Sequence, residues 1–133
     1  MTMPPTQDKR QTKRYLCDEF FTRCTLQSHE GSLDMTAIDF SKEGMGLFTN
    51  EAIPESGNFS LCLHYENPTL RHKFNNLPCS IVHCNLTEVG SHCGIRFKLD
   101  QISLEDRNAL EAIELCLATL DDPDDRYHLF GAD

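Results

Sequence analysis

A basic cluster near the start of the sequence is the first feature that could bind a ligand. Four cations fall within six residues: Lys9, Arg10, Lys13 and Arg14. Residues 1–14 carry a net charge of +3, although the whole chain carries −9. Arg10 and Arg14 are four residues apart, so their guanidinium groups can converge on one ligand from a helical turn or from an extended arm. Arginine forms paired hydrogen bonds with phosphate oxygens or with the O6 and N7 atoms of guanine. The cluster therefore predicts either an anion-binding arm or a solvated basic terminus.

A second stretch, residues 39–46, has the composition of a tight turn between two strands. The short side chains of Asp39 and Ser41 can accept hydrogen bonds from nearby backbone amides. Gly44 permits a positive φ, and Gly46 leaves the backbone open to close approach. On its own, this stretch indicates an ordinary structured turn.

Two His-Cys pairs, His83-Cys84 and His92-Cys93, have the residue types of a zinc site. The turn residues between them predict a hairpin, and adjacent residues of a strand point to opposite faces. Each face would then receive only two of the four side chains, so we expect no metal site. The sequence contains no nucleophile elbow, phosphate loop or zincin motif, and we expect a binding protein rather than an enzyme.

The composition predicts one folded domain. The chain has 133 residues, of which 39% are hydrophobic and eight are Phe. Its seven cysteines form no paired framework and no export signal precedes them, so we expect free thiols and a cytoplasmic location. No apolar run is long enough to insert into a membrane. The charge of −9 argues against DNA or RNA as a partner, because nucleic-acid affinity comes mainly from neutralised phosphates.

The elements that must position these residues are mainly β-strands. Strand patterns alternate with turn clusters from residue 15 to residue 100, most clearly over residues 59–65, and predict a small antiparallel sheet or barrel. Residues 69–77 are ambiguous. One face of the following strand is expected to contain Ser80, Val82, Cys84 and Leu86. A helix capped by Ser103 is predicted by an apolar stripe of Leu110, Ile113, Leu117 and Leu120.

Together, the two stretches resemble the signature of the PilZ domain family. Its members carry Arg-x-x-x-Arg before the first strand, here Arg10 to Arg14, and Asp/Asn-x-Ser-x-x-Gly some 20–30 residues later, here Asp39 to Gly44. Residues 94–97, Gly-Ile-Arg-Phe, are similar to the last-strand pattern of the family. The resemblance covers roughly residues 8–120.

The resemblance implies a six-stranded antiparallel (split) β-barrel with a C-terminal α-helix, and binding of the bacterial second messenger cyclic di-GMP. The implied domain divisions are a flexible basic arm, a barrel, a helix and an acidic tail, at residues 1–14, 15–100, 101–122 and 123–133. The implied ligand-binding residues are Arg10, Arg14, Asp39, Ser41 and Gly44, with Lys9, Gly46 and His83 as secondary candidates. Lys9 stands where many members carry a further arginine, a change that bears on affinity and ligand stoichiometry more than on binding itself.

The expected mechanism is a switch in which a mobile arm closes over cyclic di-GMP and signals to an unidentified protein effector. Two alternatives remain open at this point. The chain could be a PilZ-like interaction adaptor that does not bind cyclic di-GMP and works through its helix and tail. It could also be a small barrel that binds single-stranded nucleic acid, which would need more widely spread positive charge and exposed aromatic side chains.

Overall fold

Eight strands and one long helix make up the part of the chain that the structure, a computed structural model, describes: residues 13–54 and 57–121. The strands are β1 (Tyr15–Leu16), β2 (Phe21–Ser28), β3 (Gly31–Asp34), β4 (Thr36–Ser41), β5 (Gly44–Thr49), β6 (Phe59–Glu66), β7 (Arg71–Thr87) and β8 (Gly90–Phe97). A short 3₁₀ turn, Leu99–Gln101, leads into the helix α1, Leu104–Asp121. The predicted fold class, mainly β with a C-terminal helix, is confirmed.

The strands form one antiparallel sheet in the order β1-β4-β5-β8-β7-β6-β2-β3. The sheet curls into a half-barrel. Only Met35 separates β3 from β4, and its backbone N–H donates to the carbonyl of Cys24 in β2 at 2.8 Å. Thus β3 and β4 are two halves of one bent strand. The β3 half pairs with β2 at one end of the strand order, and the β4 half pairs with β5 near the other end. With this bent strand counted once and the two-residue β1 left aside, the eight hydrogen-bonded segments correspond to the expected six strands.

The core lies between the inner face of the sheet and the helix. In β6 the inward Leu61, Leu63 and Tyr65 are buried, as the alternation predicts. Leu110, Ile113 and Leu117 of α1 are also buried and pack against the same cluster. Leu120 remains 45% exposed, so the buried stripe ends one turn earlier than the sequence predicts.

The start of α1 is stabilised as the sequence predicts. The hydroxyl oxygen of Ser103 accepts a hydrogen bond from the backbone N–H of Asp106 at 3.1 Å, which satisfies one of the free amides of the first turn. The Asp106 carboxylate is in turn 2.8 Å from Nε2 of His72 in β7, which attaches the helix to the sheet. Within residues 13–54 and 57–121, no helix has the length and apolar character needed to cross a membrane.

Strand β7 contains two irregularities that the sequence pattern conceals. The ambiguous residues 71–77 belong to the strand, but Asn75 and Asn76 together lie opposite a single residue, Cys62. Further along, Val82 is an extra residue between the pairs Ile81–Ile95 and His83–Gly94. Because a bulge of this kind reverses the alternation, the prediction of one face formed by residues 80, 82, 84 and 86 is wrong.

Candidate ligand-binding site

One row of directly paired residues crosses the outer face of five neighbouring strands. From β1 to β7 the row contains Leu16, Asp39, Gly46, Gly94 and His83. Residues directly opposite one another in an antiparallel sheet point to the same face. The residues next to Gly46 and Gly94 along their strands, at positions 45, 47, 93 and 95, are buried on the inner face, so the row points outward. It contains three of the residues that the sequence singles out as site candidates and two glycines at its centre.

The two central glycines let neighbouring side chains lie directly on the sheet. A Cβ at Gly46 would be 2.7 Å from Oδ1 of Asp39, and a Cβ at Gly94 would be 2.5 Å from Nε2 of His83. The carboxylate and the imidazole therefore occupy the space that side chains at these positions would fill. We call Gly44, Gly46 and Gly94 the glycine floor, since polar groups lie against the backbone at all three.

Arg14 joins the glycine floor to the basic stretch. Its Nη1 donates to Oδ1 of Asp39 at 3.1 Å, and the side chains of the two residues are 15% and 28% exposed. Its Nη2 lies 3.2 Å from the position that a Cβ of Gly44 would take. The contact joins residues 25 apart in the sequence, one from each of the two motifs. Arg14 thus lies against the sheet.

Gly44 is needed for a reason other than the one the sequence suggested. Among the described residues the glycines with positive φ are Gly31, Gly57 and Gly90, so Gly44 does not adopt that conformation. A Cβ at Gly44 would instead collide with the backbone carbonyl oxygen of Ile95 in β8. Glycine is therefore needed at position 44 because β5 packs closely against β8 there and because the Arg14 guanidinium lies over the same position.

Ser41 holds the turn between β4 and β5. Its hydroxyl oxygen accepts hydrogen bonds from the backbone N–H groups of Glu43 at 3.1 Å and Gly44 at 3.2 Å. The residue is 2% exposed, so it positions the turn and presents little surface to a ligand. In the same turn, the backbone N–H of Lys42 donates to Oε2 of Glu114 in α1 at 2.9 Å. The helix therefore braces the same turn.

Three outward residues beside the glycine floor were not predicted from the sequence to belong to the site. Arg96 lies directly opposite Gly44, is exposed, and adds a second guanidinium to this face. Phe48 and His92 form the adjacent row, with ring centroids 5.7 Å apart. Arg96 was visible within the last-strand pattern, but only the β5–β8 register places it beside Gly44. Arg14 and Arg96 thus both lie beside Gly44, and two guanidinium groups on one face suit an anion.

Two of the candidate ligand-binding residues, Lys9 and Arg10, lie outside the described residues. Arg14, Asp39, Gly44, Gly46 and His83 all lie on or beside the glycine floor, and Ser41 lies in the turn that adjoins it.

The two His-Cys pairs are divided between the faces of the β7–β8 hairpin. Cys84 pairs with the buried Cys93, whereas His83 pairs with Gly94 on the outer face. His92 also points outward, opposite Asn85. This arrangement follows from strand alternation and leaves two potential ligands on each face, fewer than a tetrahedral zinc site needs.

Comparison with known proteins gives one family and two similar structures. The model of the PilZ domain family matches residues 8–114. The PilZ domain with c-di-GMP of YcgR from Escherichia coli is similar with a TM-score of 0.55 and 16% identity, over 84% of this chain and 92% of that one. The PlzA protein of Borreliella burgdorferi in complex with c-di-GMP is similar with a TM-score of 0.50 and 14% identity, over 77% of this chain and 40% of that one. No curated protein sequence matches the chain. At these identities the two structures support the fold.

Proposed function

The chain belongs to the PilZ domain family, and from that membership we propose that it is a cyclic di-GMP receptor whose site is the glycine floor. The observation that carries the proposal is the contact of Arg14 with Asp39 above Gly44, because it joins the two family motifs in one place. Both similar structures contain c-di-GMP. The protein acts as a binding domain in the cytoplasm and not as an enzyme.

Each residue of the site has a role that its chemistry supports. Cyclic di-GMP carries two phosphate charges and two guanines. Arg10 and Arg14 meet its phosphates and the O6 and N7 edges of guanine. Asp39 is repelled by phosphate and accepts instead from guanine N1–H and N2–H₂. The imidazole of His83 lies against Gly94 on the outer face, where its ring is placed to stack on a base.

The ion pair between Arg14 and Asp39 prepares the site for an anion. A guanidinium has five N–H donors, and the bond to Asp39 uses one of those on Nη1. Within residues 13–54 and 57–121 the remaining donors have no other acceptor and can meet a ligand, while the bond to Asp39 restrains the guanidinium group. Part of the entropy cost of ordering the long side chain is thereby met before binding. Arg10 then closes from the arm, and the reordered surface is what a protein effector detects.

Calorimetric titration with cyclic di-GMP tests the proposal and reports whether one molecule or a stacked pair binds. Arg10→Ala and Arg14→Ala should each weaken binding more than about tenfold, because each removes a charge-assisted hydrogen bond. Arg107→Ala is the matched control, since Arg107 is an exposed arginine on α1 and should have no effect. Unchanged affinity in both arm variants would refute the site. No binding by the unmodified protein would favour the interaction adaptor that does not use the ligand.

A further inference from the structure

We propose that a second row on the outer face of the sheet, formed by Arg23, His64 and Lys73, binds an acidic helix of a partner protein. We call these three residues the basic row. The proposal does not depend on cyclic di-GMP, because the row lies on β2, β6 and β7, away from the glycine floor.

The basic row is continuous because the three residues are direct neighbours in the sheet. Arg23 pairs with His64, and His64 pairs with Lys73. The residues that flank His64 along β6, Leu63 and Tyr65, are buried on the inner face, so the row points outward. Arg23 and Lys73 are exposed and His64 is half-buried between them. Neighbouring strands are about 4.8 Å apart, so the three groups extend over roughly 10 Å.

The charges of the basic row are not neutralised within the described residues. Nearby cations have partners there: Arg71 is 2.8 Å from Glu66, and His72 is 2.8 Å from Asp106. In contrast, no carboxylate of residues 13–54 and 57–121 forms an ion pair with Arg23 or Lys73. An uncompensated pair of cations in a chain of net charge −9 requires a reason beyond solubility.

The environment of His64 supports the positive field of the row. Partial desolvation lowers the pKa of His64, and the charges of Lys73 and Arg23 lower it further, while Glu66 opposes them. Its Nε2 also lies 3.8 Å from the sulfur of Cys62. A bound carboxylate would offset the two cations and raise the pKa of this imidazole.

A recess adjoins the row and gives a partner more than a flat surface. It has a volume of about 240 Å³ and is lined by His64, Tyr65, Glu66, Arg71, His72 and Lys73. Two members of the basic row therefore form one of its walls. A side chain from a docked element can enter beside the ion pair of Arg71 with Glu66.

The spacing of the row fits carboxylates on one face of a helix. Side chains at i, i+4 and i+7 of a helix lie about 5–6 Å apart, close to the strand spacing. A helix that crosses the three strands can thus place one carboxylate near each member of the row. An extended anionic surface such as a membrane fits less well. The basic row attracts it only within about one Debye length, roughly 8–10 Å, and the remaining surface of a chain of net charge −9 repels it.

The test measures binding of an alanine-based helical peptide with Glu at i, i+4 and i+7 to the full chain at low salt. Arg23→Gln and Lys73→Gln should each weaken binding about twofold to fivefold, as expected for exposed ion pairs. Arg107→Gln makes the same charge change on α1 and should leave affinity unchanged. Arg14→Ala should also have no effect, which separates this surface from the cyclic di-GMP site. NMR titration should show the pKa of His64 rising when the peptide binds.

Two further peptides test whether binding depends on the carboxylates and on their position on one face of the helix. A peptide with Gln in place of Glu should not bind, and one with three Glu on different faces of the helix should bind several-fold more weakly. Equal weakening by Arg107→Gln and by the row variants would overturn the proposal, since it would show attraction by total charge alone. Binding of phosphatidylserine vesicles through the row, without binding of the helical peptide, would also overturn it.

Discussion

Gly46→Ala is the sharpest perturbation of the glycine floor that the structure offers. The new methyl group would lie 2.7 Å from Oδ1 and 3.1 Å from Cγ of Asp39, closer than carbon and oxygen atoms tolerate. The carboxylate must swing away, and its 3.1 Å bond with Arg14 is then lost or lengthened. A charge-assisted hydrogen bond contributes about 1.5–3 kcal/mol, so the affinity for cyclic di-GMP should fall about tenfold to a hundredfold.

The same substitution should leave the fold nearly intact. The group displaced at Gly46 is the end of a side chain, not backbone, and alanine in a strand regains about 0.5–1 kcal/mol relative to glycine. We therefore expect the free energy of unfolding to change by less than about 1 kcal/mol. Gly44→Ala differs, because its methyl would meet the backbone carbonyl of Ile95 and should destabilise the sheet.

Calorimetry with cyclic di-GMP and urea denaturation together separate affinity from stability. Gly31→Ala is a useful control because Gly31 has a φ of +128° with no atom within 4 Å of the added Cβ. It should lower stability by about 1–2 kcal/mol through backbone strain while the affinity stays unchanged. The reasoning fails if Gly46→Ala binds cyclic di-GMP as tightly as the unmodified protein.

Three further predictions concern the turn, the pH dependence and the thiols. Ser41→Ala removes the acceptor of two turn amides and should cost about 1–3 kcal/mol of unfolding free energy in urea denaturation; an unchanged midpoint would contradict this role. The pKa of His64 is lowered from 6.5 in the folded state, so its contribution to stability is lost as the pH falls from 6.5 through the lowered value. Thermal unfolding of His64→Gln should therefore be less sensitive to pH in that range than that of the unmodified chain, and identical pH profiles would be inconsistent with this. The exposed thiol of Cys84 should react first with an alkylating agent at pH 8, because burial raises the pKa of Cys24 and Cys79 to about 12. Peptide mass spectrometry after brief labelling identifies the modified residues, and labelling of Cys24 ahead of Cys84 would disprove the assignment.

The features that could be predicted from the sequence are those that depend on neighbouring residues. The alternation of β6 indicates its buried face because that strand is regular between residues 59 and 66. Ser103 is recognisable as a helix cap because the hydrogen bond it accepts comes from a residue three positions later. Family resemblance adds one long-range relation, the approach of the first motif to the second, and Arg14 with Asp39 shows that contact.

The features that could not be predicted depend on pairing between distant strands. The extra residue Val82 reverses which face the rest of β7 presents, and no local pattern marks it. The bend at Met35 exists because one strand pairs with both ends of the sheet order. Arg96 becomes part of the candidate site only through the register that sets it opposite Gly44.

The hydrogen bond from the Lys42 amide to Glu114 couples the turn beside the proposed cyclic di-GMP site to the helix. If cyclic di-GMP alters the position of the turn, it must alter the free energy of the helix as well. By thermodynamic reciprocity, a protein that binds the helix then changes the affinity for cyclic di-GMP. Cyclic di-GMP changes the affinity for that protein by the same factor. One carboxylate could therefore carry information in both directions between the two surfaces.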